Sequence, residues 1–269
     1  MGRPFTIGIG GAHSDIGKTT FAAALLRGLS VSGDRPPAGN KRLLLYSLKI
    51  WGAVKYTKTA IHCSVTDNAG VLRRGDKDTA RMLEAGATEV LWVQAPPEEL
   101  EEVLPMVMER LSGLDGIIIE GNSAIEFLRP DIVIFISDPS GERFKPSATN
   151  IQKLADIIVF PWGLEDGTVF RTEDEHETKQ TSAVSAGNPR TMTVNPLVEK
   201  EVEGLLDTLD EIAKKKNIEE LLRERSSENR IPCGLARKIA EDLGVPYGEV
   251  GNAANELKIK IKNCELGCF

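Results

Sequence analysis

No stretch of this 269-residue chain approaches the roughly 20 consecutive apolar residues of a membrane-spanning helix, so no membrane association is expected. Nor is there an excess of positive charge. Lys and Arg number 33 against 40 Asp and Glu, and the net charge of −7 argues against general binding to nucleic acid. Internal repeats and low-complexity tracts are absent. Cysteine is scarce, with four residues, and no export signal precedes the first apolar run. A reducing, cytoplasmic setting is therefore expected. What is present, 41% hydrophobic and 27% charged residues, is the composition of a globular protein. The length suits one α/β domain with a small additional module.

One stretch organises the rest: Gly10-Gly11-Ala12-His13-Ser14-Asp15-Ile16-Gly17-Lys18-Thr19-Thr20. It follows the apolar run Phe5-Thr6-Ile7-Gly8-Ile9, which reads as a buried strand, and precedes the Ala/Leu-rich helix former Phe21–Leu29. Strand, glycine-rich turn and helix form the context of a phosphate-binding loop, here with Ala12 at the first glycine position. Backbone N–H groups of such a loop cradle phosphate oxygens at the helix N-terminus. The expected binding residues are therefore Gly11 through Thr20. Lys18 reaches the β- and γ-phosphates of a nucleotide, GTP or ATP, and the Thr19 hydroxyl binds Mg²⁺.

Continuous β-branched runs alternate with helical patterns downstream, which predicts a mostly parallel sheet covered on both faces. The run Arg42–Ile50 reads as strand two, ending near Lys49 on the ligand edge, while Trp51–Arg74 shows no clean period. Leu100, Val103, Leu104, Val107, Met108 and Leu111 follow the 3.6-residue helical period. Ile117-Ile118-Ile119-Glu120 and Ile132–Ile136 read as buried strands. The polar stretch Glu165–Arg190 reads as a hairpin or loop. The expected organisation is a nucleotide-binding domain over 1–217, a charged linker over 218–229, and a helix-turn-helix-like module over 230–269.

Glu120 ends a strand at the edge where open α/β sheets bind ligands, so it is expected to contact Mg²⁺ or orient the attacking water. Asp67 and Asp78 are candidate metal and phosphate sensors in a switch-like segment, and Lys49 is a candidate cation for phosphate. Cys233, Cys264 and Cys268 form a candidate second metal site, for Zn²⁺ or an iron–sulfur cluster. The would-be recognition helix Tyr247–Glu256 contains no Lys or Arg to neutralise DNA phosphates, so the module is expected to dock a protein.

Several motifs occur together in order: the phosphate loop, Lys49, Asp76-Lys77-Asp78-Thr79, Ala85-Gly86-Ala87 and Glu120-Gly121. Over roughly residues 5–160 the chain thereby resembles the molybdopterin-guanine dinucleotide biosynthesis protein B family. The resemblance implies a P-loop GTPase fold of the signal-recognition and MinD-like class, a homodimer, and a role in assembling molybdenum cofactor or a related metal cofactor. The segment Ser14-Asp15-Ile16 looks more like the loop of dethiobiotin- or cobyrinate-synthetase relatives, which keeps an ATP-dependent ligase resembling dethiobiotin synthetase as an alternative. The terminal module keeps a nucleotide- or metal-responsive transcriptional regulator as another.

Overall fold

The computed structural model describes residues 3–31, 44–75, 77–138, 143–161 and 189–263. The chain divides into two compact units. The first holds Met1–Gly33 and Leu48–Leu206, the second Asp34–Ser47 and Asp207–Phe269.

The first unit begins with β1 (Phe5–Gly11) and α1 (Lys18–Val31). After α2 (Leu44–Ser47), a part of the second unit, it continues with β2 (Trp51–Lys58), β3 (Ser64–Thr66), α3 (Ala69–Gly75), α4 (Lys77–Glu84) and β4 (Val90–Ala95). Then follow α5 (Leu100–Arg110), β5 (Gly116–Glu120), α6 (Asn122–Leu128), β6 (Ile132–Ile136), α7 (Pro146–Leu154), β7 (Ile157–Pro161) and β8 (Arg190–Val194). Among the described residues the sheet runs β3-β4-β2-β5-β1-β6-β7-β8, parallel throughout except that edge strand β3 is antiparallel to β4.

Burial explains this sheet. Every residue of β5 and β6 is buried, and so are the first six of β2. Such strands cannot show one wet face and need helices on both sides. On β1, glycines let neighbours approach closely: a Cβ on Gly10 would meet Ile151 of α7 at 2.6 Å, and one on Gly11 would meet Ile16 at 2.6 Å. Phe21, Leu25, Leu26 and Leu29 of α1 are fully buried. The chain passes from β1 to β2, leaving a place later filled by β5, and β6 then pairs on the other side of β1. Strand order thus reverses at β1, and the carboxyl ends there form the crevice where open sheets take ligands. This is a mostly parallel α/β architecture whose ligand crevice lies beside the β1–α1 loop.

The second strand differs from expectation. Of the run 42–50, the described part forms α2 and an irregular lead-in, and β2 occupies Trp51–Lys58 instead. The reason is burial on both faces. With Gly52, Ala53, Lys55 and Tyr56 all inside, neither period 2 nor a continuous apolar run is legible in the sequence. The expected hairpin at 165–190 falls almost wholly outside the described residues.

In the second unit, α8 (Glu199–Arg225), which starts in the first, is followed by β9 (Arg230–Pro232), α9 (Cys233–Leu243), α10 (Tyr247–Glu256) and β10 (Lys260–Lys262). Gly244 closes α9 in the left-handed conformation with φ 65°, where glycine carries no Cβ penalty. Strands β9 and β10 pair in parallel. Ile218 and Leu222 join Ile231, Ala236, Ile239, Val250 and Ala254 in one core. The stretch 218–229, expected as a charged helical linker, is helical through Arg225 and contributes Ile218 and Leu222 to this core.

Candidate phosphate and cation site

The loop between β1 and α1 is held from three sides. Ala12 N–H donates to the Ile136 carbonyl at 2.9 Å, and the Lys145 N–H donates to the Ala12 carbonyl at 2.8 Å. The Asn122 side chain straps Gly11, accepting from its N–H and donating to its carbonyl, each at 3.0 Å. Asp15 and Gly17 take positive φ, 61° and 88°, which turns the chain sharply into α1. The Lys18 ammonium folds back and donates to the His13 carbonyl at 2.9 Å. Burial pushes the Lys18 pKa below its ordinary value; Glu120 opposes this, while Lys55 and Lys145 add to it. A half-buried cation at the start of α1, beside a glycine-rich turn, is the electrostatic counterpart of a polyphosphate.

Beside the loop, strand register builds a second feature. Lys55 of β2 and Glu120 of β5 are cross-strand partners, and Glu120 also pairs with Ile9 of β1. Side chains directly opposite on one face of a sheet meet. The Lys55 ammonium donates to Glu120 Oε1 at 3.0 Å, to Asp78 Oδ2 at 2.6 Å and to Thr19 Oγ1 at 3.3 Å. The Thr19 hydroxyl in turn donates to Glu120 Oε2 at 2.8 Å. Lys55 and Glu120 are 8% and 4% exposed, so each charge requires the other. Burial pulls the Lys55 pKa down, but Glu120 and Asp78 outweigh it and hold the ammonium above its ordinary value. Burial likewise raises the Asp78 pKa, and the bond from Lys55, with Thr19 and Arg81, lowers it further than burial lifts it. Arg81, one turn on from Asp78 along α4, donates to Thr20 Oγ1 at 2.9 Å and ties this helix to the loop.

These groups open on a cleft of about 1310 Å³ that extends past Lys55 to Thr57 and Lys58, and past Asn122 to Lys145 and Ser147. The structure therefore brings Lys18, Thr19, Asp78 and Glu120 together, with Gly11, His13, Ser14, Asp15, Gly17 and Thr20 also on the lining. Ala12 and Ile16 are buried behind it.

Two expected residues lie elsewhere. Lys49 is exposed before β2, and its N–H donates to Asp115 at the amino end of β5, whereas the site stands at the carboxyl ends. Asp67 follows edge strand β3 and pairs with Arg110 of α5. Cys233 is buried at the start of α9, while Cys264 and Cys268 lie outside the described residues. Among the described residues, no group of three His, Cys, Asp or Glu side chains is placed to hold a metal ion. Lys55, Arg81 and Lys145 are the site residues the sequence reading missed. A lone lysine inside an otherwise buried strand was the signal for Lys55, since lysine enters a core only with a paired acid.

No protein-family model matches the sequence, and no curated protein matches it. Among solved structures, the LAO/AO transport system kinase is 15% identical, with 96% of this chain and 82% of that one covered and a TM-score of 0.38. HypB from Helicobacter pylori in complex with nickel is 15% identical over 79% and 88%, with a TM-score of 0.43. A ParA family ATPase from Chlorobium tepidum TLS is 12% identical over 78% and 98%, with a TM-score of 0.34. The fold assignment rests on the sheet order and the loop geometry. Among the described residues, no helix is long and apolar enough to cross a membrane.

Proposed function

We propose that this chain binds and hydrolyses a nucleoside triphosphate, GTP rather than ATP, in a Mg²⁺-dependent manner, and assists the assembly of molybdenum cofactor or a related metal cofactor. The observation that carries the nucleotide reading is the convergence of Lys18 and the glycine-rich loop with the oxygens of Thr19, Asp78 and Glu120 at one sheet edge. The choice of GTP and of the pathway rests on the family resemblance of the loop, the Asp78 segment and Glu120-Gly121.

The donor set suits Mg²⁺. Three hard oxygens, from Thr19, Asp78 and Glu120, already surround one cation, the Lys55 ammonium, at 2.6–3.3 Å. Two carboxylates and a hydroxyl are too few for an all-protein cage. They are the set Mg²⁺ uses when phosphates and water complete its shell. Bound there, Mg²⁺ supplies charge neutralisation for the transferring phosphoryl group. Lys18 and the loop N–H groups orient the polyphosphate and stabilise charge building on its terminal oxygens. Gly121, with φ 131° at the N-terminus of α6, keeps side-chain bulk away from that edge. Arg81 and Asp78 make α4 responsive to what the loop holds.

A second reading, an ATP-dependent ligase, is favoured by the cleft. Its 1310 Å³ exceeds the roughly 300–1,000 Å³ of usual ligand pockets and leaves room for an organic substrate near Thr57 and Lys58.

The test is titration of GTP and ATP, with and without Mg²⁺, against the parent chain and Lys18→Ala. Loss of one charge-assisted hydrogen bond is worth about 1.5–3 kcal/mol, so affinity is expected to fall about tenfold to 150-fold. Equal binding by the variant would remove the nucleotide reading. Hydrolysis only in the presence of an added carboxylate or amine substrate would favour the ligase.

A further inference from the structure

We propose that Lys55 is a tethered counter-ion that excludes free divalent cations from the Thr19–Asp78–Glu120 oxygens and gives way when metal arrives with the nucleotide. This rests on the reading of those oxygens as metal ligands given above.

The argument is one of shared acceptors. The ammonium already takes Glu120 Oε1 at 3.0 Å, Asp78 Oδ2 at 2.6 Å and Thr19 Oγ1 at 3.3 Å. A divalent ion on the same oxygens would stand within a few ångströms of the ammonium nitrogen, where like charges repel strongly in a poorly solvated site. The two cations therefore exclude one another. Lysine suits this task better than arginine. Its ammonium is a compact point charge on a flexible four-carbon stem, so it mimics an ion and can swing away. The stem has somewhere to go, because β2 continues through Thr57 and Lys58 along the cleft wall.

Two consequences follow. Glu120, almost fully buried, always has a cation beside it, so the pocket stays assembled whether or not metal is bound. Free Mg²⁺ must displace a resident charge and gains little, whereas Mg²⁺ carried on a polyphosphate brings the phosphate contacts of Lys18 and the loop with it. Metal and nucleotide then load together.

The experiment uses the full chain without nucleotide and Mn²⁺ as the probe, with bound ion counted by electron paramagnetic resonance. Three variants are compared with the parent: Lys55→Met, Lys55→Gln and Lys55→Arg. Lys55→Met is expected to bind Mn²⁺ at least about tenfold more tightly than the parent, within the usual range of couplings between two ligands. Lys55→Arg keeps the charge and is expected to bind as weakly as the parent. Should Lys55→Met fail to fold, Lys55→Gln, which keeps a neutral donor toward Thr19, carries the same comparison. Unchanged or weaker Mn²⁺ affinity in the folded neutral variant overturns the exchange. If that result accompanies nucleotide binding that depends on Lys18, the phosphate-loop reading stands and only the exchange fails. Tighter Mn²⁺ binding without any nucleotide binding supports the exchange and removes the nucleotide reading.

Discussion

Substitution of Glu120 by Gln isolates the charge at the centre of the site. In the parent, Glu120 accepts from Thr19 at 2.8 Å and from Lys55 at 3.0 Å with 4% exposure. Gln keeps an oxygen for Lys55 and turns an amide toward Thr19, so shape is retained and one negative charge is lost. Removing one partner of a buried ion pair costs roughly 3–5 kcal/mol. Here Asp78 still meets Lys55 at 2.6 Å from a side chain that is 38% exposed, and it offsets part of that loss. The expected destabilisation is about 1.5–3 kcal/mol, the value of hydrogen bonds to charged groups. Lys55→Met leaves both carboxylates facing each other and is expected to cost about 3–5 kcal/mol. The double variant should cost at least ~1 kcal/mol less than the sum of the two, because the second change removes a charge the first had stranded. The assay is urea unfolding in chelator, followed by tryptophan fluorescence. Of the three tryptophans in the sequence, Trp51 and Trp92 lie on β2 and β4 of the first unit, so their signal reports on the unit that carries the site. Additivity within about 0.5 kcal/mol would refute the coupling of Lys55 to Glu120.

Two further outcomes are expected. Burial, then the nearby Glu98, pushes the Tyr56 phenol up to about 12 from an ordinary 10.0; the raised folded value means that this stabilisation is complete below pH 10 and is lost as pH rises through about 12. A spectrophotometric titration of parent minus Tyr56→Phe should show this late ionisation in the folded chain and its return to about 10 in urea, and an ionisation near 10 in the folded chain would contradict the buried placement. Gly121→Ala forces a side chain onto φ 131° with its Cβ 3.1 Å from the Tyr56 Cβ. It should cost about 1–3 kcal/mol in urea unfolding, and an unchanged midpoint would contradict the geometry at the start of α6.

The parts of this fold that a sequence shows are those governed by local pattern. The phosphate loop is a contiguous string whose glycines and lysine act on backbone geometry, and β5 and β6 are unbroken apolar runs. What depends on register between distant strands is invisible. Asp78 is 23 residues from Lys55, and Glu120 is 65, yet the sheet makes them neighbours. The sequence points to Lys49 as the lysine of the site, because the apolar run before it looks more strand-like than Trp51–Lys58. A strand buried on both faces can hold glycine, a paired lysine and a tyrosine, so its sequence carries no period to read. Asp67 is a separate case: its acidic neighbourhood suggests a metal, and its partner is Arg110 of α5. The difference between the two lysines can be measured. Lys49 is exposed and its N–H is fixed to Asp115, one residue before β5 begins, whereas Lys55 is paired with Glu120, where β5 ends. At roughly 3.3 Å per residue, the five-residue strand β5 puts more than ~13 Å between those two levels. Lys49→Ala should therefore change nucleotide affinity by no more than about twofold, the usual effect of a surface substitution. A loss of about tenfold or more in Lys49→Ala, with Lys55→Arg unaffected, would return the site to the residue the sequence first suggested.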